Sequence, residues 1–176
     1  MPKPRFRLYL ALSLDGMIAD AEGGVHWLEP FNTEELDFAG FMAGIGTIVM
    51  GRTTYDQALT FGEWPYPGKR VVVMTSRPFT PTTPDTEVWG GSVEALADKL
   101  MAETEGDVWV LGGAALGRSF LNAGRLDTLE LYWIPIVLGG GIPLFVEGTA
   151  PARLAPSHVH RYGNGIVRID YDVARG

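Results

Sequence analysis

Two spacings of apolar residue alternate along this chain. Residues 5–13 alternate aromatic or aliphatic side chains with polar or small ones and then become wholly apolar, as a strand entering the middle of a sheet would. Short apolar runs bounded by turn residues, at 47–50, 71–75 and 108–111, predict further buried strands, and 86–89 a short one. Between them the spacing becomes helical. Asn32 or Thr33 offers an N-cap oxygen, Glu34, Glu35 and Asp37 load a first turn with negative charge, and Leu36, Phe38, Phe41, Met42 and Ile45 form an apolar face. Further helices are expected from Arg52, from a Ser92 cap to about residue 105, and over 114–123. Segments 14–31, 61–69 and 80–84 are rich in Gly, Pro, Asp or Thr and read as loops. The first is long enough to carry function, with Trp27 as its large anchor.

Strands separated by helices predict parallel pairing with right-handed crossovers. The C-terminal part differs: 126–137 reads as one long strand, and 159–161 with 166–173 as a hairpin around Tyr162-Gly163-Asn164-Gly165. The expected architecture is one α/β domain over residues 1–176, mostly parallel, with an antiparallel C-terminal edge.

Two of the predicted strands end in glycine and turn directly into helices, at Met50-Gly51-Arg52-Thr53-Thr54-Tyr55 and Leu111-Gly112-Gly113-Ala114-Ala115-Leu116. Such an exit presents free backbone N–H groups and the positive end of a helix dipole, which suits phosphate. Two of them form a cradle for a dinucleotide.

Composition narrows the chemistry. With no cysteine, the chain has no thiolate nucleophile and no sulfur-based metal site. His158 and His160 would share one face of an edge strand with no third ligand in view, so no metal is expected. A net charge of -7 argues against a nucleic-acid partner. No apolar run has the length of a membrane span, and the expectation is a soluble, cytoplasmic protein. Basic residues then matter by position, and Arg52, Lys69, Arg70 and Arg77 are expected near the cofactor side.

The order of motifs resembles the dihydrofolate reductase fold, and more closely the reductase domains of riboflavin biosynthesis in stand-alone form. The residues that carry the resemblance are Ser13-Leu14-Asp15-Gly16, the Met50 to Tyr55 segment, Thr75-Ser76-Arg77, Val110-Leu111-Gly112-Gly113, and Pro135-Ile136-Val137-Leu138-Gly139-Gly140-Gly141 with Pro143-Leu144-Phe145. The resemblance implies a three-layer α/β/α domain and an NADPH-dependent reductase of a small heterocyclic substrate, similar to 5-amino-6-(5-phosphoribosylamino)uracil reductase. It places the cofactor on Gly51, Arg52, Thr53 and Thr54, on Gly112, Gly113, Ala114, Ala115 and Leu116, and on Thr75, with Ser76 and Arg77 at the 2′-phosphate. Ala11, Met17 and Ile18 would flank the nicotinamide.

For the substrate the same resemblance points to Asp15, Trp27 and Asp37, with Asp37 orienting or protonating the acceptor; Glu35 fits an ungapped count instead. Helix-dipole complementarity explains either acid equally well. Dihydrofolate reductase is the alternative enzyme, with Arg70 meeting a folate carboxylate, although Tyr132-Trp133-Ile134-Pro135 offers no hydroxyl where a threonine is usual. A nucleotide-binding module without catalysis and a flavin protein stay open. Leu129, Leu131, Trp133 and the run 134–138 are more apolar than an edge requires, which leads to the expectation of a homodimer.

Overall fold

Alternation along the first strand divides the molecule into two cores. In the computed structural model, which describes residues 2–174, β1 (Phe6–Ser13) lies inside the sheet. Phe6, Leu8 and Leu12 enter one core while Tyr9 and Ala11 face the other. Met1, Arg175 and Gly176, the ends of the 1–176 reading, lie outside the described residues.

The chain continues through β2 (Met17–Ala19), α1 (Phe38–Ala43), β3 (Ile45–Gly51), α2 (Arg52–Ala58), β4 (Arg70–Met74), β5 (Thr86–Trp89) and α3 (Val93–Glu103). It closes with β6 (Asp107–Gly112), α4 (Ala114–Asn122), β7 (Thr128–Ile134), β8 (Ile142–Pro143), β9 (Leu154–Arg161) and β10 (Val167–Val173). Eight strands form one sheet in the order β5-β4-β3-β6-β1-β7-β10-β9, parallel from β5 to β7 and antiparallel at β10 and β9. Strands β2 and β8 pair separately.

One face is aliphatic: Val93, Leu96 and Leu100 of α3 and Leu116 and Phe120 of α4 pack on Leu8, Val49, Val72 and Val110. The other is aromatic, with Tyr9 stacked on Phe41 at 3.8 Å between ring centres and Trp109 edge-on to both rings. The Trp109 indole N–H donates to the Tyr9 carbonyl at 3.0 Å, satisfying a buried donor. On this face the carboxylate of Glu130, nearly fully buried, accepts from Arg7 at 2.6 and 2.8 Å and from Arg168 at 3.0 Å. Arg168 also reaches Asp170. These partners keep a charge inside the sheet from being left unpaired.

The elements depart from the sequence expectation in four places. The 14–31 segment is not all loop: it contains β2 and a 3-10 turn over His26–Phe31. The first expected helix is split, because Asp37 adopts a left-handed conformation (φ 46) that ends a 3-10 turn, Glu34–Leu36, before α1 begins. Strand β7 stops at Ile134, ahead of Pro135, and runs between β1 and β10, not along an edge. Its Leu129, Leu131 and Ile134 are therefore interior, and their apolarity no longer argues for a homodimer. Strand β9 begins earlier than expected, at Leu154; its Pro156 sits on the outer edge, beside an irregularity opposite Asp170 and Tyr171, where a missing N–H costs no ladder bond. His158 and His160 are exposed on that strand.

Replacing the fully buried Phe120 by alanine is expected to lower the unfolding free energy by about 3–5 kcal/mol. Urea titration followed by circular dichroism checks this, and a loss below about 1 kcal/mol would contradict the assigned core.

Candidate active site

Parallel strands release their helices from the same edge of a sheet, so β3, β4, β5 and β6 all exit on one side. A cleft of about 320 Å³ opens there, lined by Gly51, Thr75, Ser76, the Trp89 to Gly91 turn, and Ala115 and Leu116 of α4. Gly51 and Gly113 precede α2 and α4, and neither helix start has a side-chain cap. First-turn amides are thus left for a ligand. The two exits nearly touch, since a methyl group on Gly51 would come within 3.8 Å of the Gly112 carbonyl. Gly112 itself has φ 127, a conformation side-chain-bearing residues rarely adopt.

The rim of this cleft carries two arginines in different states. Arg52 pairs with Asp56 at 2.8 Å and lies over the Phe79 ring at 4.1 Å. Arg77 is exposed and has no ion-pair partner among the described residues; its N–H donates to the Thr75 hydroxyl, which shapes the turn after β4. Thr53 and Thr54 occupy the first turn of α2, with the Thr54 hydroxyl oxygen 3.9 Å from where a Gly113 side chain would begin.

A second, larger cleft of about 410 Å³ lies on the aromatic face. Its floor is Tyr9 and Ala11 of β1 with Tyr132 and Ile134 of β7. Leu28, Glu29, Phe31 and Asn32 wall one side, Leu36 and Phe38 another, and Val25 and Ile166 complete it. Burial pushes the Tyr9 and Tyr132 hydroxyls above the ordinary tyrosine range, so both stay protonated near neutrality. The Tyr132 hydroxyl is buried and interacts with that of Tyr9.

The candidate residues divide between these places. Gly51, Thr75, Ser76, Ala115 and Leu116 meet in the first cleft and Ala11 lines the second. Arg52, Thr53, Thr54, Arg77, Gly112, Gly113 and Ala114 stand on the same strand exits without forming the lining. Met17 and Ile18 lie on β2. Asp37, Asp15 and Trp27 line neither cleft. The exposed Asp37 carboxylate accepts from the Gly40 N–H at 3.1 Å and caps α1, so it precedes the helix and is not part of its first turn. A side chain at position 40 would meet that carboxylate and push it off the Gly40 N–H. Glu35 lies over the C-terminal hairpin turn, near the Gly163 N–H.

Asp15 holds a loop. Its carboxylate accepts from the Ser13 hydroxyl at 2.6 Å and from the N–H groups of Leu138 and Gly139 at 3.0 and 2.8 Å. Trp27 packs on the aromatic core. Lys69 and Arg70 belong to the opposite end of the sheet: Lys69 donates to the Met42 and Ile45 carbonyls, and Arg70 pairs with Glu87 and Glu103. The length of β4 separates them from the cofactor side, about 13–17 Å at strand rise.

The sequence reading missed Tyr9, Phe38 and Tyr132 as lining residues. Tyr9 was accessible to it, being two positions from Ala11 and so on the same face of the strand. The Trp89-Gly90-Gly91 turn repeats the glycine strand exit and was readable in the same way.

A mostly parallel sheet with a cleft at its strand exits and an antiparallel C-terminal pair is the dihydrofolate reductase type of fold. The Enterococcus faecalis dihydrofolate reductase solved with NADP(H) superposes with a TM-score of 0.69 at 21% identity, over 97% of each chain. The RibD C-terminal domain model matches residues 4–168, and the chain belongs to that family of reductases. A putative riboflavin biosynthesis protein from Shewanella sp. PV-4 superposes with a TM-score of 0.87 at 27% identity, over 97% of this chain and 99% of that one. The protein YwjB of Bacillus subtilis (strain 168) is 32% identical over 90% of this chain and 92% of its own length. No helix among the described residues is long and apolar enough to cross a membrane.

Two outcomes follow from these contacts. The hydrogen bonds from Ser13, Leu138 and Gly139 hold the Asp15 carboxyl down to about 2. A pKa depressed on folding stabilises the loop above the unfolded value near 3.9, and that stabilisation is lost as pH falls through about 2. Amide exchange at Leu138 and Gly139, corrected for intrinsic rates, is expected to stay level down to about pH 4 and to accelerate below it; acceleration already near pH 6 would contradict the assignment. For Asp37, alanine is expected to cost about 0.5–2 kcal/mol in denaturant titration while asparagine costs almost nothing, because asparagine both caps and tolerates the left-handed backbone. Equal losses for the two variants would contradict the cap.

Proposed function

We propose that this protein is a soluble, cytoplasmic NADPH-dependent reductase that transfers a hydride to a small heterocyclic molecule. The observation that carries the reading is the convergence of Gly51, Thr75, Ser76, Ala115 and Leu116, drawn from three separate strand exits, on one cleft. The residues present fit the cofactor. Uncapped first-turn amides of α4, reinforced by those of α2, would hold the diphosphate. The Ser76 hydroxyl and the unpaired Arg77 guanidinium would take the 2′-phosphate, a dianion that needs a cation when it leaves water. The Trp89 ring, fixed by its indole N–H donating to the Ser92 carbonyl at 3.0 Å, offers a flat surface to the adenine.

When bound, the reduced nicotinamide supplies a hydride that forms a C–H bond on the acceptor; it is oxidised as the acceptor's C=N or C=O bond is reduced, and the heteroatom takes a proton from solvent. Ala11, small and on the floor of the aromatic cleft, leaves room for two flat rings to approach. Tyr9, Phe38 and Tyr132 orient a planar acceptor between aromatic surfaces. Reduction of 5-amino-6-(5-phosphoribosylamino)uracil is the finer activity that the family suggests. The folate alternative loses its anchor, because Arg70 is paired elsewhere.

Fluorescence titration is expected to show NADPH binding more tightly than NADH, with Arg77→Ala weakening NADPH about tenfold or more and leaving NADH unchanged, as for loss of a charge-assisted hydrogen bond. Full NADPH preference in the variant would refute the phosphate site.

A further inference from the structure

We infer that the aromatic cleft takes an uncharged planar ring compound, free of phosphate and of carboxylate, so that the acceptor differs from both a ribose-phosphate pyrimidine and a folate. This rests on the reductase reading above and names its substrate class. No lysine, arginine or histidine lines the cleft among the described residues. The one ionisable carboxylate in the lining is Glu29. The imidazole of His26 is held by Glu29 at 2.9 Å and is itself highly exposed.

The basic residues of the same sheet face are already committed. Arg7 gives its N–H groups to Glu130 and Asp107, and Arg168 to Glu130 and Asp170. Freeing either would strip the buried Glu130 carboxylate of one of its two arginines. A phosphate or a glutamate tail carried into this cleft would lose hydration without gaining an uncommitted cation, because the Arg168 guanidinium, 5.3 Å over the Tyr132 ring, is bound to Glu130 and Asp170. What the cleft does offer is aromatic surface from Tyr9, Phe31, Phe38 and Tyr132, two neutral phenols, and the Asn32 amide at one wall. Its volume, about 410 Å³, falls within the range of small-molecule sites. The contrast with the other cleft is instructive: there the strand exits supply the amides and the free guanidinium that an anion requires, and here the chain supplies none.

Matched ligand pairs test this in calorimetry on the full chain without cofactor. The pairs are 6-methyl-7,8-dihydropterin against 7,8-dihydrofolate, and 5-amino-6-ribitylaminouracil against its 5′-phosphate. In at least one pair the uncharged member is expected to bind about fivefold tighter or more at low ionic strength, the gap narrowing with salt. Glu29→Lys is expected to tighten the phosphorylated or carboxylated member relative to its uncharged counterpart about fivefold or more. Tighter or equal binding of the charged members by the wild-type protein, or binding of neither member of either pair, would overturn the proposal. NADPH binding is titrated separately on the same samples. Loss of cofactor binding with selectivity intact would sink the reductase reading alone, and cofactor binding with inverted selectivity would sink the substrate class alone.

Discussion

The arrangement depends on the parallel direction of β3, β4 and β6. Because these strands run the same way, their exits fall on a single edge, and because β3 and β6 are neighbours and end in glycine, α2 and α4 begin side by side with their first-turn amides uncapped. Antiparallel pairing of the same strands would send one glycine turn to each end of the sheet, and no shared anion site could form. The strand-exit cleft is therefore a consequence of topology before it is one of particular side chains.

The opposite faces of that sheet are specialised by the period of two along β1. Phe6, Leu8 and Leu12 go to an aliphatic core that fixes α3 and α4, while Tyr9 and Ala11 go to an aromatic layer that is only partly filled and leaves the second cleft. Ala11 supplies the gap and Tyr9 the wall. The charged group on this face, Glu130, is held by two arginines within the sheet, so that Arg168, whose guanidinium lies 5.3 Å over the Tyr132 ring, is already committed to carboxylates.

Most of the fold was legible in the chain because its signals are local: β-branched runs, a Ser92 cap whose hydroxyl accepts from Ala95, and glycine at the exits of β3, β5 and β6. What escaped was set by longer-range terms. Asp37 looks like any first-turn acid in the sequence, and only its left-handed backbone and the bond from Gly40 reveal a cap. The predicted strand at 71–75 already set Lys69 and Arg70 at the opposite end from Ser76 and Arg77, but their partners lie across the sheet or in another element and were not legible. The candidate site was legible in the same proportion. Residues tied to strand exits were placed by local pattern, whereas Tyr132 and Ile166 reach the aromatic cleft through the C-terminal strand pairing, which no local window contains.

The account is tested most directly by a crystal structure of the protein grown with NADPH. It predicts the diphosphate against the first turn of α4, the adenosine beside Ser76 and Trp89, and the nicotinamide emerging next to Ala11 at the aromatic cleft. A nucleotide bound away from the exits of β3 and β6, or one whose nicotinamide points out of the aromatic cleft, would contradict it.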